Sequence, residues 1–188
     1  MRPGGAINKL AGAARIALEA IEPNSWNRDG LDKTPSRWAA AMHDLTGGHD
    51  FELTTFPNSP RVDEMVVEVG VPFFSLCEHH LLPFFGHVTV GYIPDRRIVG
   101  ISKLARTVDK FSRRLQVQER MTQQIADFLR AGLRPIGVGV LVRARHLCQE
   151  MRGVRKFGTE TVTSCLSGRM RTSPTARAEF LALARSTD

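Results

Sequence analysis

Two short clusters of thiol and imidazole side chains, Cys77-Glu78-His79-His80 and His146-Leu147-Cys148, stand far apart in this 188-residue chain. A fold that lets them share one ion must bring the two segments together. Zinc takes thiolate sulfur and imidazole nitrogen in one coordination sphere, and a catalytic zinc keeps three protein ligands and an open fourth position for water. Cys77 and His80 can be turned toward a common ion by one tight loop. His146 and Cys148, two apart on a predicted strand, share a face, so the second cluster can present a ligand and an acid together. Taken singly, a histidine is most often a surface or hydrogen-bonded residue and a cysteine a small buried hydrophobe. The mixing of thiol and imidazole in both clusters is what points to a metal. Two arrangements satisfy the spacing: an open zinc site with catalytic neighbours, and a closed structural Cys2His2 site with His146 as the fourth ligand.

The bulk properties narrow the setting. The length suits one well-buried domain plus a small helical appendage, and 42% apolar with 24% charged residues is the composition of a folding, globular chain. No apolar run approaches the roughly 18 residues of a membrane span, and the start, Met1-Arg2-Pro3-Gly4-Gly5, lacks a signal-peptide core. A cytoplasmic protein without membrane contact is the expectation. Three cysteines are too few for a disulfide framework, which favours metal binding or catalysis for Cys77 and Cys148; Cys165 is expected to pack in a strand. The formal charge of +7 favours an anionic partner, either nucleic acid or a polyphosphate nucleotide. Only Arg96-Arg97 and Arg113-Arg114 form arginine doublets, and no basic tract marks a nucleic-acid arm.

Apolar periodicity predicts a helix over 6–21, ended by Pro23-Asn24-Ser25, and a second from an N-cap at Thr34, with Pro35 in its first turn, to Leu45. These form a helical N-terminal region over 1–48, and residues 49–188 form the remaining domain. The proline-containing stretch 49–61 reads as a loop. Met65–Val69 and Phe73–Leu76 read as strand interrupted by Gly70 and Pro72, and Phe85–Ile93 as its antiparallel partner, with the metal loop between them. The 102–130 pattern predicts two consecutive helices broken near Leu115-Gln116. Strands are expected over 138–144 and 159–166, then a short C-terminal helix. The order is that of an α+β fold with an antiparallel sheet and helices packed on one face. Neither a dinucleotide fingerprint nor a P-loop is present.

The loop Cys77-Glu78-His79-His80-Leu81-Leu82-Pro83-Phe84 resembles that of the GTP cyclohydrolase I family. So do Gly100-Ile101-Ser102-Lys103-Leu104-Ala105-Arg106, Arg113-Arg114-Leu115-Gln116-Val117-Gln118-Glu119-Arg120, His146-Leu147-Cys148 and Arg152-Gly153-Val154-Arg155, in the family's order. The resemblance implies the tunnelling fold and a homodecamer with active sites between subunits. It implies Zn2+ on Cys77, His80 and Cys148, and water-driven opening of the guanine imidazole ring of GTP at C8, with release of formate and formation of 7,8-dihydroneopterin triphosphate. His146 matches the family's acid, and His79 with Ser102 the pair assisting ribose opening. Glu119, with Gln118 beside it, matches the guanine contact. Lys103, Arg106 and Arg152 match the triphosphate contacts, and Arg37 lies in the family's Thr-Pro-x-Arg helix. Ala40 stands in that helix where a lysine is usual, and Glu150 has no role that the resemblance supplies. Two other readings remain open at this stage: a related tunnelling-fold enzyme acting on another purine or pterin, and a basic nucleic-acid-binding module with structural zinc.

Overall fold

A computed structural model describes residues 3–24 and 28–185. They fall into two compact units, Met1–Gly47 and Gly48–Asp188. In the first, α1 (Pro3–Ile21) and α2 (Thr34–Thr46) pack together, with Ala14, Pro35 and Ala39 turned inward. Helix α1 begins earlier than its apolar periodicity indicated, and Ser25 of the expected terminator lies outside the described residues. Thr34 is the first helical residue of α2 rather than its cap; Lys33 occupies the cap position without a side-chain bond, and Pro35 in the first turn lacks the amide hydrogen that would go unused there.

The second unit is built on the strands β2 (Val66–Cys77), β3 (Pro83–Ile93), β5 (Leu115–Gln116), β6 (Gly137–His146) and β7 (Glu160–Gly168), in the spatial order β5-β2-β3-β6-β7. All pairings are antiparallel except β2 with β5. The expected interruption of β2 is a bulge: the register shifts between Glu68 and Val71, and Gly70 takes φ 71°, which suits a residue without Cβ. Pro72 sits where β2 has β3 on one side only, so its missing donor breaks no second ladder. The stretch 49–61 is not loop throughout. It contains β1 (Thr55–Pro57), which pairs with β4 (Arg97–Val99) and is pinned by Arg97 Nε donating to Thr55 Oγ1 at 2.7 Å.

Helices α3 (Ser102–Ser112) and α4 (Gln118–Leu133) lie on one sheet face, and the break between them is β5 itself. Leu104, Val108, Met121, Ile125 and Leu129 meet Val88, Val90, Val138, Val140 and Val142 there in the main core. Alternation along β6 sends Leu141 to the opposite face, where the C-terminal helices α6 (Arg169–Thr172) and α7 (Pro174–Leu183) build a second, smaller core. Gly91 and Gly139 face each other across β3 and β6, and a Cβ on either would stand 3.0–3.1 Å from the Phe180 ring. The two glycines are the slot that admits α7. The α+β architecture expected from the sequence is present and consistent with the tunnelling fold, with short helices added on the second face.

Candidate active site

The β2–β3 turn is closed by Leu81 N–H donating to Cys77 O at 2.8 Å and Cys77 N–H donating to Leu82 O at 2.9 Å. Closing so short a turn puts Leu81 at φ 55°, a conformation that side chains with a Cβ occupy at some cost. In return, the Cys77 Sγ faces Nδ1 of both His79 and His80 at 3.7 Å. Ligand atoms of these three residues lie within 4.8 Å of one another, a cluster able to hold a metal ion, with Cys77 buried and both histidines exposed. Arg152 Nη1 lies 3.3 Å from His80 Nε2.

The second cluster arrives differently from the sequence expectation. His146 ends β6, but Cys148 belongs to the short helix α5 (Leu147–Glu150), so the two do not share a strand face. The helical turn brings Cys148 against Cys77. Burial, and then the neighbouring Cys77 thiol, push the Cys148 thiol above its ordinary pKa. Two adjacent thiolates are unfavourable without a cation, and a sulfur–imidazole donor set is one that zinc accepts, so the residues fit a zinc ion.

The β3–β6 register sets Phe84 opposite His146, and their rings stack at 4.7 Å with 3° between planes. Nε2 of His146 lies 2.7 Å from Gln118 Oε1, so this nitrogen is bonded to protein. Burial lowers the pKa of His146, while the charges of Glu119 and Glu150 act in the opposite direction. Strand β5 explains the proximity: Glu78 N–H donates to Gln116 O at 3.1 Å, so the N-terminus of α4, with Gln118, Glu119 and Arg120, begins beside the metal loop. Arg120 ion-pairs with Glu78 and donates from Nε to Gln116 Oε1 at 3.0 Å.

Glu150, without a role from the sequence, is buried and takes a bidentate pair of bonds from Arg145 at 2.8 and 2.6 Å. Arg145 in turn lies 5.8 Å from the Phe85 ring centroid and 5.0 Å from that of Phe157. The pair ties β6 to the segment after Cys148. Ser102, Lys103 and Arg106 stand in the first turns of α3, with Ser102 and Arg106 exposed. Arg106 lines a cavity of about 320 Å³ with His49, Phe51, Asp109, Lys110 and Arg113. Among the described residues, the hydrogen bonds of the Cys77–His146 centre do not extend to these three. Arg37 is exposed on α2 in the other unit. Sequence reasoning missed the Phe84 stack and the Arg120–Glu78 and Arg145–Glu150 pairs.

A model of the family described as GTP cyclohydrolase I matches residues 10–185. The chain belongs to the GTP cyclohydrolase I family. It is 49% identical over 164 residues to GTP cyclohydrolase 1 of Leptospira biflexa serovar Patoc, covering 85% of this chain and 90% of that protein. It is 48% identical over 184 residues to the GTP cyclohydrolase 1 of Homo sapiens, covering 96% and 73% respectively. The protein of that name from Aquifex aeolicus is 47% identical over 177 residues, covering 94% and 96%. Membership of this family makes the chain an enzyme, and the Cys77–His146 centre becomes its candidate active site.

Proposed function

We propose that the chain uses zinc and water to open the guanine imidazole ring of GTP at C8, releasing formate and forming 7,8-dihydroneopterin triphosphate. The observation that carries this reading is the convergence of Cys77, His79, His80 and Cys148 at one end of the sheet, with His146 held alongside, in a member of this family. Cys77, His80 and Cys148 would hold the ion. Zinc bound there supplies a hydroxide-like nucleophile at neutral pH, since it lowers the pKa of water toward about 7. His146 gives a proton to N7 of the purine, which makes C8 electrophilic. His79, with Ser102, assists opening of the ribose.

Recognition is divided along α3 and α4. The Glu119 carboxylate only accepts hydrogen bonds, which matches the adjacent N1 and 2-amino donors of guanine. Lys103, Arg106 and Arg37 supply charge to the triphosphate. Arg152 can keep its contact with His80 and still offer other donors to phosphate, since a guanidinium carries five. Among the described residues the outer edges of β7 and of most of β2 are unpaired, which favours assembly with further copies, and a homodecamer with shared sites is the assembly proposed. A cytoplasmic setting would keep the thiols reduced; among the described residues no helix is long and apolar enough to cross a membrane.

The test is incubation of zinc-loaded protein with GTP, measuring formate together with pterin fluorescence after oxidation. Both should appear in equal amounts. Formate without a pterin would indicate a related ring-opening enzyme, and a salt-sensitive DNA shift without turnover would indicate a structural-zinc module.

A further inference from the structure

By resemblance Gln118 stands beside Glu119 at the guanine contact, and the structure gives its side chain partners within the protein. It is the first residue of α4 and is 1% exposed. Its Nε2 lies 3.3 Å from Val142 O, 3.0 Å from Thr161 O and 3.1 Å from Thr163 Oγ1. Carbonyl oxygens only accept, so this end of the amide is its NH2 group, and the flip that an amide otherwise permits is closed. The hydroxyls around it agree. Thr122 Oγ1 donates to Gln118 O at 2.8 Å, so at its 2.7 Å contact with Thr163 it accepts, and Thr163 in turn accepts from Gln118. Every proton in this loop of bonds has one direction.

The opposite end of the amide is therefore an oxygen, and it meets His146 Nε2 at 2.7 Å. An amide oxygen cannot donate, so Nε2 must carry hydrogen. The Phe84 ring stacked on the imidazole restrains its plane. We propose that Gln118 is a positioning residue for His146, holding the imidazole in its Nε2–H tautomer so that Nδ1 is the nitrogen that exchanges a proton with the substrate. The backbone of β6 and β7 sets the amide, and the amide sets the imidazole. The inference rests on the reading of His146 as the acid.

The direct test uses zinc-loaded, full-length protein labelled with 15N-histidine. The chain has six histidines, and the His146 resonances are those lost in His146→Ala. In the neutral ring Nε2 should be protonated and Nδ1 bare; an Nδ1–H tautomer in the wild type overturns the proposal. Kinetics supply an independent arm. Gln118→Leu should lower kcat about 10- to 100-fold with zinc content and KM for GTP little changed, as expected for an orienting group. A raised KM with unchanged kcat would mean that Gln118 touches the substrate. In a His146→Ala background, Gln118→Leu should cause no further loss, because it acts through the missing ring; another tenfold loss contradicts the proposal. If His146→Ala alone turned over normally, the acid reading would fail while the tautomer spectrum still judged the Gln118–His146 contact. Should Gln118→Leu not fold, the wild-type spectrum decides.

Discussion

The two basic and polar ends of the catalytic unit are built on different terms. Around His146, direction is fixed: Gln118 is buried, its amide has partners at both ends, and the imidazole is stacked on Phe84. Along α3 it is charge that is concentrated. Lys110 sits 4.8 Å from the Phe128 centroid and bonds Asp50 at 2.8 Å, yet the Asp50 side chain is 91% exposed. Lys103 lies over Phe51, and Arg106 is exposed beside the cavity. Ion pairs open to solvent are screened and individually weak. A proton must be delivered along one direction, whereas a polyanion needs only enough positive charge nearby. Substitutions at the first end should therefore act on kcat, and those at the second on KM.

The largest effect tests the metal centre. Cys148→Ser should abolish bound zinc and activity together, whereas His146→Ala should retain most of the zinc and lose about 10²- to 10⁴-fold in turnover, the range for a positioned acid. Metal analysis of both purified variants checks this. Equal zinc loss would make His146 a ligand and return the site to the closed Cys2His2 arrangement. Next comes the base contact. Glu119→Gln leaves one acceptor facing two donors, and loss of a charged hydrogen bond costs about 1.5–3 kcal/mol, roughly ten- to hundredfold in kcat/KM for GTP. Unchanged kcat/KM would remove Glu119 from guanine recognition.

How far these residues could be seen in the sequence depended on whether their partners were local. The period of α3 and α4, the bulge at Gly70 and the β2–β3 turn carrying Cys77 are written in neighbouring residues, and the structure has them. Strand β1 was not legible, because its three residues gain their conformation only by pairing with Arg97–Val99, far along the chain. Cys148 looked like a strand residue continuing β6; no helix breaker or cap marks the turn at His146, which has no side-chain cap bond. Candidate metal ligands could be named because thiol and imidazole have distinctive chemistry, and the structure gathers Cys77, His79 and His80 into a cluster able to hold an ion. The direction of the Gln118 amide could not, since carbonyls of Val142 and Thr161, on two other strands, decide it. The covering of the second sheet face likewise depends on Gly91 meeting Gly139 across strands.

The Arg145–Glu150 pair offers a pH-resolved check on the rigid end. The hydrogen bond from Arg145 holds the Glu150 carboxyl below its ordinary value of 4.5, with a further contribution from the Gly158 backbone. A carboxyl with a depressed folded pKa stabilises the fold above the unfolded value, and that contribution is lost as pH falls through the folded one. Wild type and Glu150→Gln should thus differ in Tm most at neutral pH and converge progressively below about pH 4.5, both measured in the same zinc buffer. A constant gap down to pH 3 would mean that the pair acts through packing against Phe85 and Phe157 rather than through its charge.

The smallest expected effect concerns α2, where Ala40 is exposed in the helix that carries Arg37. If this helix contributes to a triphosphate site in the assembled enzyme, Ala40→Lys adds one solvent-exposed charge to several already present. The gain is then limited by screening to less than about 1 kcal/mol, or about fivefold in KM. Because the phosphates lie at the far end of the substrate from C8, the added energy is shared by ground and transition states, and kcat should stay the same. Comparison of GTP with guanosine diphosphate sharpens the test, since a charge near the terminal phosphate favours the triphosphate more. A fall in kcat would place α2 against the reacting end and erase the division between charge and direction. Unchanged KM for both nucleotides in a folded, fully assembled protein would remove α2 from the phosphate site, leaving that task to Lys103, Arg106 and Arg152.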